Sequence, residues 1–560
     1  MNNTLLSKFS GNKNSIIFAL LWVLTMIIYF PAAKAGWVID AVGGIYNLKH
    51  LSFWDFINST QSATQSLYQL YALDLFVFYK LWGVNVWMWS LLFISLHAIN
   101  AFLLFIFCRN IFFDSGIKNG VIISLCGAIV FTVCPHISEV LIWKACFHYL
   151  QGFLFILLVM LWVQKYQHTQ KTKYIWGSIL IFILSAHALE IFYLIPMFVL
   201  TIALYYRFAL GYDKAVFRKT LLYFFLPLVV LLGLYFMALY NRYGFLTPHI
   251  HNVFSQSWIE YLSKPPKYLF HILALGRYFS IHAKDKVSAF FGLAVVLIVF
   301  YSLVLLLLLD LVTRFKKLNN TGKAICLLLV WVMMTLAFLM PLPFPNTGLL
   351  VFYDRYTYFA DGFIFMLLAL FISSYANKYI ATAIFFIYIG FNIYFTTEVN
   401  RYWKHSAFIT NRLMHDLPAA GDKIVLLLNL PENMNGVPMI GAQKEGQYKM
   451  MCEVLMGSTI KNTIYDVASY NMQGDKDGAH ITVSNDSMIH VTLNQWGTWW
   501  WYGGHGAKNY ENEDYKCNMI DPGHWYELTL KKPASQFLLL YEVGDQWKTV
   551  NMNKRDEDQY

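Results

Sequence analysis

Four short stretches of this chain place ionisable side chains where long apolar runs make them costly. The first is Gly36-Trp37-Val38-Ile39-Asp40. A carboxylate just past the end of an apolar run needs a reason to be there. Asp40 can take the proton from a hydroxyl as that oxygen attacks an electrophilic carbon. The competing reading is an ordinary polar residue at a helix exit. Second, Pro135-His136-Ile137-Ser138-Glu139, followed by Lys144, brings an acid, an imidazole and an ammonium to one face. That set suits a phosphate or a hydroxyl-rich ligand, although Glu139 also suits the first turn of a helix, where its charge meets the helix dipole. Third, His187 and Glu190 sit in a very tight turn between two apolar runs. They either bind a ligand or pair with each other one helical turn apart. Fourth, Tyr353-Asp354-Arg355-Tyr356-Thr357-Tyr358 opens another apolar run. Arg355 there can clamp a phosphate through two parallel hydrogen bonds, with Tyr356 and Tyr358 beside it. The alternative is a snorkelling arginine in an aromatic belt. Asp55 and Asp74, further along the first polar stretch, read as interfacial acids.

Other chemistries find no footing. The sequence has no phosphate-cradling Gly-rich loop, no GxSxG turn and no dinucleotide fingerprint. It has no CxxC or His-rich zinc spacing, so no metal ligands are assigned. Cofactors are left unassigned, with a divalent metal open but not indicated. Five of the seven cysteines lie in or beside apolar runs, where Cys acts as a small hydrophobe. Cys452 and Cys517 lie in the polar C-terminal part and are the one pair free to form a disulfide, if that part is outside the cytoplasm.

The elements that must position these residues follow from composition. The chain has 560 residues, 58% hydrophobic and 13% charged, against roughly 25% charged in soluble proteins. Apolar runs near the 20 residues of a membrane crossing recur from the N-terminal region to about residue 397. They predict an all-α polytopic membrane protein with about eleven spans, near 14–33, 86–108, 119–135, 147–165, 174–189, 190–207, 220–241, 288–313, 324–342, 355–376 and 379–397. The net charge of +10 does not signal nucleic acid, because the basic residues sit mainly in turns between apolar runs. Arg109 and Lys118, Lys165 to Lys173, Arg207 to Lys219, Arg314 to Lys323 and Lys378 all mark turns on the cytoplasmic side by the positive-inside rule. The first run follows Lys8 and Lys13 and partly resembles a signal peptide, but no convincing cleavage site lies near Pro31-Ala32-Ala33, so it reads as a retained span. The N-terminus is then cytoplasmic, and an odd number of spans puts the C-terminal part outside.

Three regions are expected outside. The first outer loop, 34–85, is amphipathic and aromatic. A second, 241–287, carries Arg242, Lys264, Lys267 and Arg277 among tyrosines and phenylalanines, and reads as amphipathic helices at lipid head groups. The third is a small, mostly β domain over 418–560, following a transmembrane module over 1–400. Ile424 to Leu428 is a buried-type strand ended by Pro431, and alternating stretches such as Ile489 to Leu493 follow. Trp496, Trp499, Trp500, Trp501 and Tyr502 suit a core or a docking face more than a sugar site.

Taken in order, these pieces resemble the GT-C class of polytopic glycosyltransferases, in particular its protein O-mannosyltransferase-like and tetratricopeptide-containing branches. Asp40 is similar to the family's acid just past span one. Leu81-Trp82-Gly83-Val84-Asn85 with Ser95-Leu96-His97-Ala98-Ile99-Asn100-Ala101 resembles its G-x-N…L-H-x-x-N-A stretch, and Pro135 to Trp143 its P-x-x-x-E-A-V-x-W loop. Glu190 with Pro196 resembles its K-E-x-x-x-x-x-P turn, without the Lys; Asp354-Arg355-Tyr356-Thr357-Tyr358 resembles its E-R-Y-x-Y segment. The likeness covers about 14–400. The C-terminal part lacks the repeats of the eukaryotic branch and looks more like bacterial members with a small outer domain. The paired acids often found in the first loop are also missing, since Ala41 follows Asp40. The resemblance implies a polyprenyl- or dolichyl-phosphate sugar donor, an inverting transfer, and a glycan, lipid or protein acceptor on the outer face of a bacterial inner membrane. Asp40 would be the base, with Glu139 supplying the second carboxylate. Arg355 and Tyr356, with Arg242, Lys264, Lys267 and Arg277, would hold the donor phosphate; His136, His187, Glu190 and Tyr358 would line the substrate site. The rivals are a flippase or transporter, and a ligase or polymerase, of lipid-linked glycans, and a structural or binding protein whose C-terminal part does the work.

Overall fold

The computed structural model describes residues 11–64, 66–246, 257–275, 278–279, 281–341, 354–441, 446–493, 499–500, 509–521 and 525–553. All eleven apolar runs fold as helix, but not all as full crossings. Eight helices among the described residues are long and apolar enough to cross a membrane: Lys13–Ala32, Val86–Asp114, Lys144–Thr169, Glu190–Ala209, Lys214–Tyr243, Asn320–Phe338, Asp354–Tyr375 and Lys378–His415. The run at 119–135 is instead Gly120–Val133 joined to Pro135–Ile142 across a 51° bend, and counting that pair makes nine. The runs at 174–189 and 288–313 give shorter apolar helices, Lys173–Ala186 and Ala294–Asp310.

Large apolar side chains cover the outside of this bundle. Val295 is 63% exposed and Phe386 73% exposed. Surfaces of that kind are unfavourable in water and compatible with lipid as the solvent. The basic turns gather at one end. There Arg109 Nη1 donates to Asn14 Oδ1 at 2.8 Å, His168 meets Asp114 at 2.9 Å, and Lys323 Nζ reaches the Ala209 carbonyl at 3.3 Å. At the opposite end Tyr29 donates to the Cys134 carbonyl at 2.7 Å and Asn400 to the Ile28 carbonyl at 2.6 Å.

Two amphipathic helices occupy the second polar loop, Trp258–Leu273 and Ile281–Phe291. A capping box between Ser257 and Glu260 starts the first, satisfying two backbone donors that would otherwise lack partners. Residues 418–553 are mostly β. Ile424–Leu427 lies parallel to both Phe537–Val543 and Ile464–Asp466. A five-stranded antiparallel sheet runs in the order Ala479–Asn485, Met488–Leu493, Trp525–Leu530, Tyr515–Asp521, Tyr510–Glu511. Pro431 does not end the first strand. It lies inside the next one, Leu430–Met434, at a register shift, where a missing N–H is tolerated. Cys452 and Cys517 are both buried free thiols. The helix Lys378–His415 has 38 residues and runs unbroken into this β unit. There the Leu413 carbonyl accepts from Tyr448 at 2.6 Å and from Trp547 Nε1 at 2.8 Å.

Candidate functional site

The site is built on an interruption. Cys134 is extended, Pro135 lacks an N–H, and the chain passes through a 3-10 turn at Pro135–Ile137 into a short helix at Ser138–Ile142. Trp143 is extended again, and a second 3-10 turn, Lys144–Cys146, leads into the next long helix. Irregular backbone at membrane depth survives only where protein satisfies it. Here every residue from Pro135 to Phe147 is buried. Tyr29 and Thr396 donate to the carbonyls of Cys134 and Val133, both at 2.7 Å.

Asp40 is delivered to this platform by Gly36. That glycine has φ +98°, and a Cβ on it would lie 1.8 Å from the Ile142 carbonyl oxygen. Only glycine permits both the dihedral and the approach. The contact is stitched on each side, by Lys144 N donating to Gly36 O at 3.0 Å and Trp143 Nε1 donating to Val38 O at 3.1 Å. Ile39 has φ 45°, and the helix Asp40–His50 begins directly after it with the exposed Asp40 in its first turn.

Arg355 reaches the same place from the start of Asp354–Tyr375. Its Nη1 donates to Glu139 Oε1, its backbone N–H donates to Glu139 Oε2 at 3.0 Å, and its guanidinium lies over the rings of Trp143 (4.9 Å) and Tyr356 (4.7 Å). Glu139 is thus the arginine's partner. Trp143, over which Arg355 lies, is the same indole that donates to Val38 two residues before Asp40, so the three charges share one end of the bundle. Burial, then the charge of Asp40, push the Tyr71 phenol well above its usual range. The His148 ring packs edge-on to Tyr71 at 5.0 Å and close to Tyr149 at 4.5 Å.

His136 belongs to a second cluster beside the first. His271 Nε2 is 2.7 Å from Asp354 Oδ1, His136 Nδ1 is 3.7 Å from the same oxygen, and the two imidazole rings are 4.5 Å apart. One ligand atom from each of the three lies within 4.8 Å of the others. Burial, reinforced by His136, lowers His271 to about 4, which keeps its ring neutral near pH 7.

The remaining predicted residues lie elsewhere. His187 and Glu190 do not pair, because the helix ends at Ala186 and a new turn starts at Glu190. Instead, His187 Nδ1 is 2.6 Å from Gln69 Oε1, and Glu190 accepts from Ser66 at 2.6 Å and from the Tyr68 hydroxyl. Together they pin 66–69 to the bundle. Tyr358 is fully enclosed, with its hydroxyl 2.9 Å from His97 Nδ1 and 3.1 Å from Asn100 Nδ2; it supports the platform from behind. Arg242 is exposed beside Tyr243. The Lys264 ammonium donates to the Met340 carbonyl at 2.8 Å, and burial lowers it to about 8. Lys267 reaches Ser288 at 3.4 Å. Arg277 lies outside the described residues, as do Tyr353, Trp496, Trp501 and Tyr502.

Tyr71, His148, Tyr149 and His271 are not singled out by the sequence, and Asp354 is named there only as part of the Arg355 stretch. The signal nearest to hand was Lys144-Ala145-Cys146-Phe147-His148-Tyr149, an unusually polar opening for a long apolar helix. A cleft of about 670 Å³ runs between Met26, Phe30, Trp87 and Phe408, with Lys34 and Lys404 on its rim. It adjoins one of about 300 Å³ that reaches Gly36, Trp37 and Val38. Neither contains Asp40 or Arg355, so the chemistry is assigned by converging charges and not by cavity size. Neither the comparison with protein-family models nor that with curated proteins returns a match for this chain.

Proposed function

We propose that this chain is a membrane glycosyltransferase of the GT-C kind, moving a sugar from a polyprenyl-phosphate donor to a glycan, lipid or protein acceptor on the extracytoplasmic face of a bacterial inner membrane. The observation that supports the reading is the Glu139-anchored guanidinium of Arg355 lying over Trp143, whose indole donates to the Val38 carbonyl two residues before the exposed carboxylate Asp40. The acceptor oxygen attacks the anomeric carbon and gives its proton to Asp40. The bond from that carbon to the phosphate oxygen breaks, and its electron pair leaves with the phosphate. Attack opposite the leaving group inverts the anomeric centre. Arg355 faces the charge that grows on the phosphate, where a preorganised cation is most effective. Tyr356, half-buried beside the guanidinium, offers an aromatic ring to a sugar, while the buried Trp143 backs the guanidinium.

The test uses Asp40→Asn in isolated membranes supplied with labelled lipid-linked sugar. Loss of a positioned base costs roughly 10²- to 10⁴-fold in rate, so turnover falls by at least about 100-fold while protein level is unchanged. Normal turnover removes Asp40 from the mechanism. Lipid-linked sugar that crosses the bilayer with no new glycosidic bond points to transport instead.

A further inference from the structure

His136, His271 and Asp354 come from three separate elements: the turn Pro135–Ile137, the helix Trp258–Leu273 and the residue before Arg355. They are 0%, 4% and 0% exposed. A hydrogen bond accounts for His271 and Asp354. It does not account for His136. Among the described residues, neither of its ring nitrogens has a hydrogen-bond partner, although both are shielded from solvent. An imidazole without partners in the interior is costly, and here it faces a carboxylate oxygen and a second imidazole.

We infer that these three side chains bind one divalent transition-metal ion of the zinc class. Two imidazoles and one carboxylate are a borderline-soft donor set. They suit zinc, which in its open type of site takes three protein ligands and a water or another ligand in the fourth position. Magnesium and calcium call for oxygen ligands throughout and are disfavoured. Tetrahedral ligands about 2.0–2.1 Å from zinc are roughly 3.3 Å from one another. The contacts to Asp354 Oδ1, 2.7 Å from His271 and 3.7 Å from His136, bracket that separation, and with all three ligand atoms within 4.8 Å of one another, side-chain rotations that draw the two imidazoles together close the site. An ion there bonds the otherwise unpartnered His136. It also ties together the two segments that hold the Glu139–Arg355 pair, since Asp354 adjoins Arg355 and His136 lies three residues before Glu139. The ion is a positioning device for the guanidinium. Its binding does not depend on what reaction the chain performs.

Cobalt(II) is the probe. The full chain, purified in detergent and stripped with chelator, is titrated with Co²⁺ and then with Zn²⁺. The expected result is visible ligand-field absorption saturating at one equivalent, displacement by Zn²⁺, and a higher melting temperature with either ion. His136→Asn and His271→Asn each weaken binding by at least about 10-fold, the lower bound seen even for outer-shell partners of a metal. If a variant does not fold, the wild-type titration decides. Absence of the absorption band and of any melting shift overturns the site, as does unchanged affinity in a folded His136→Asn chain. Neither donor nor acceptor is present, so this outcome is separate from the Asp40→Asn test.

Discussion

At the scale of single residues, the pair Glu139–Arg355 decides what Glu139 is for. Its side chain is 3% exposed and that of Arg355 is 15%. Both carboxylate oxygens are spent on Arg355, one on the guanidinium and one on the backbone N–H. A group so occupied orients its partner and is a poor proton acceptor for a third molecule. Removing one member of an enclosed pair strands the other charge, which costs about 3–5 kcal/mol. Glu139→Ala and Arg355→Ala should each lower the melting temperature, and the double variant should cost less than their sum. A double-mutant cycle is expected to give a coupling of about 1–3 kcal/mol; additive losses would mean that the two side chains act independently. Asp40, Glu139 and Arg355 stand out in the sequence as ionisable residues beside apolar runs at the ends opposite the basic turns. The pairing of His271 with Asp354 does not, because nothing local signals that residues so far apart meet. Tyr358 was misplaced for the same reason. Its position beside Arg355 suggested the site, while its helix turns it inward to His97 and Asn100.

At the scale of elements, the apolar runs declared themselves by length alone, and each is helical. Their ends were harder to read. The platform at 134–146 looked like a short loop between two spans, yet it is two 3-10 turns around a five-residue helix, fully enclosed. Proline marked the break, but only the packing of Gly36 explains why the break is stable. Gly36→Ala tests that explanation. The substitution forces an L side chain to φ +98° and drives a Cβ into the Ile142 carbonyl. The strained dihedral alone costs about 1–3 kcal/mol, and the clash adds to it. Expected outcomes are a clear drop in melting temperature and loss of turnover, since the docked segment ends at Asp40. Wild-type melting and activity in this variant would show that the segment docks without that contact.

For the whole molecule, the β unit holds one buried carboxyl whose protonation couples stability to pH. Burial raises Glu542 to about 8; the Tyr470 hydroxyl pulls it back, and Asp477 and Asp545 add to the rise. The folded chain therefore holds a proton that the unfolded chain releases near pH 4.5. Between about pH 4.5 and 8 the native state binds more protons, so stability falls as pH climbs through that window. Melting of the detergent-purified chain is expected to be higher at pH 5.5 than at pH 8.5, and Glu542→Gln should flatten the difference. An unchanged slope in that variant would assign the dependence to other groups.

The β unit is also fastened at two points. It rides on Lys378–His415, whose 38 residues measure about 57 Å against a hydrocarbon layer of about 30 Å. It grips the helix that begins with Asp40 as well, through Lys49 Nζ to the Glu453 carbonyl at 3.1 Å, His50 to Glu453 at 2.5 Å and Gln447 to the Ile39 carbonyl at 3.4 Å. The long helix and this lateral brace hold the β unit from two sides. Any load that prises the brace open must also pull on the Asp40 helix, which makes the seating of the β unit and the aim of that carboxylate one mechanical variable.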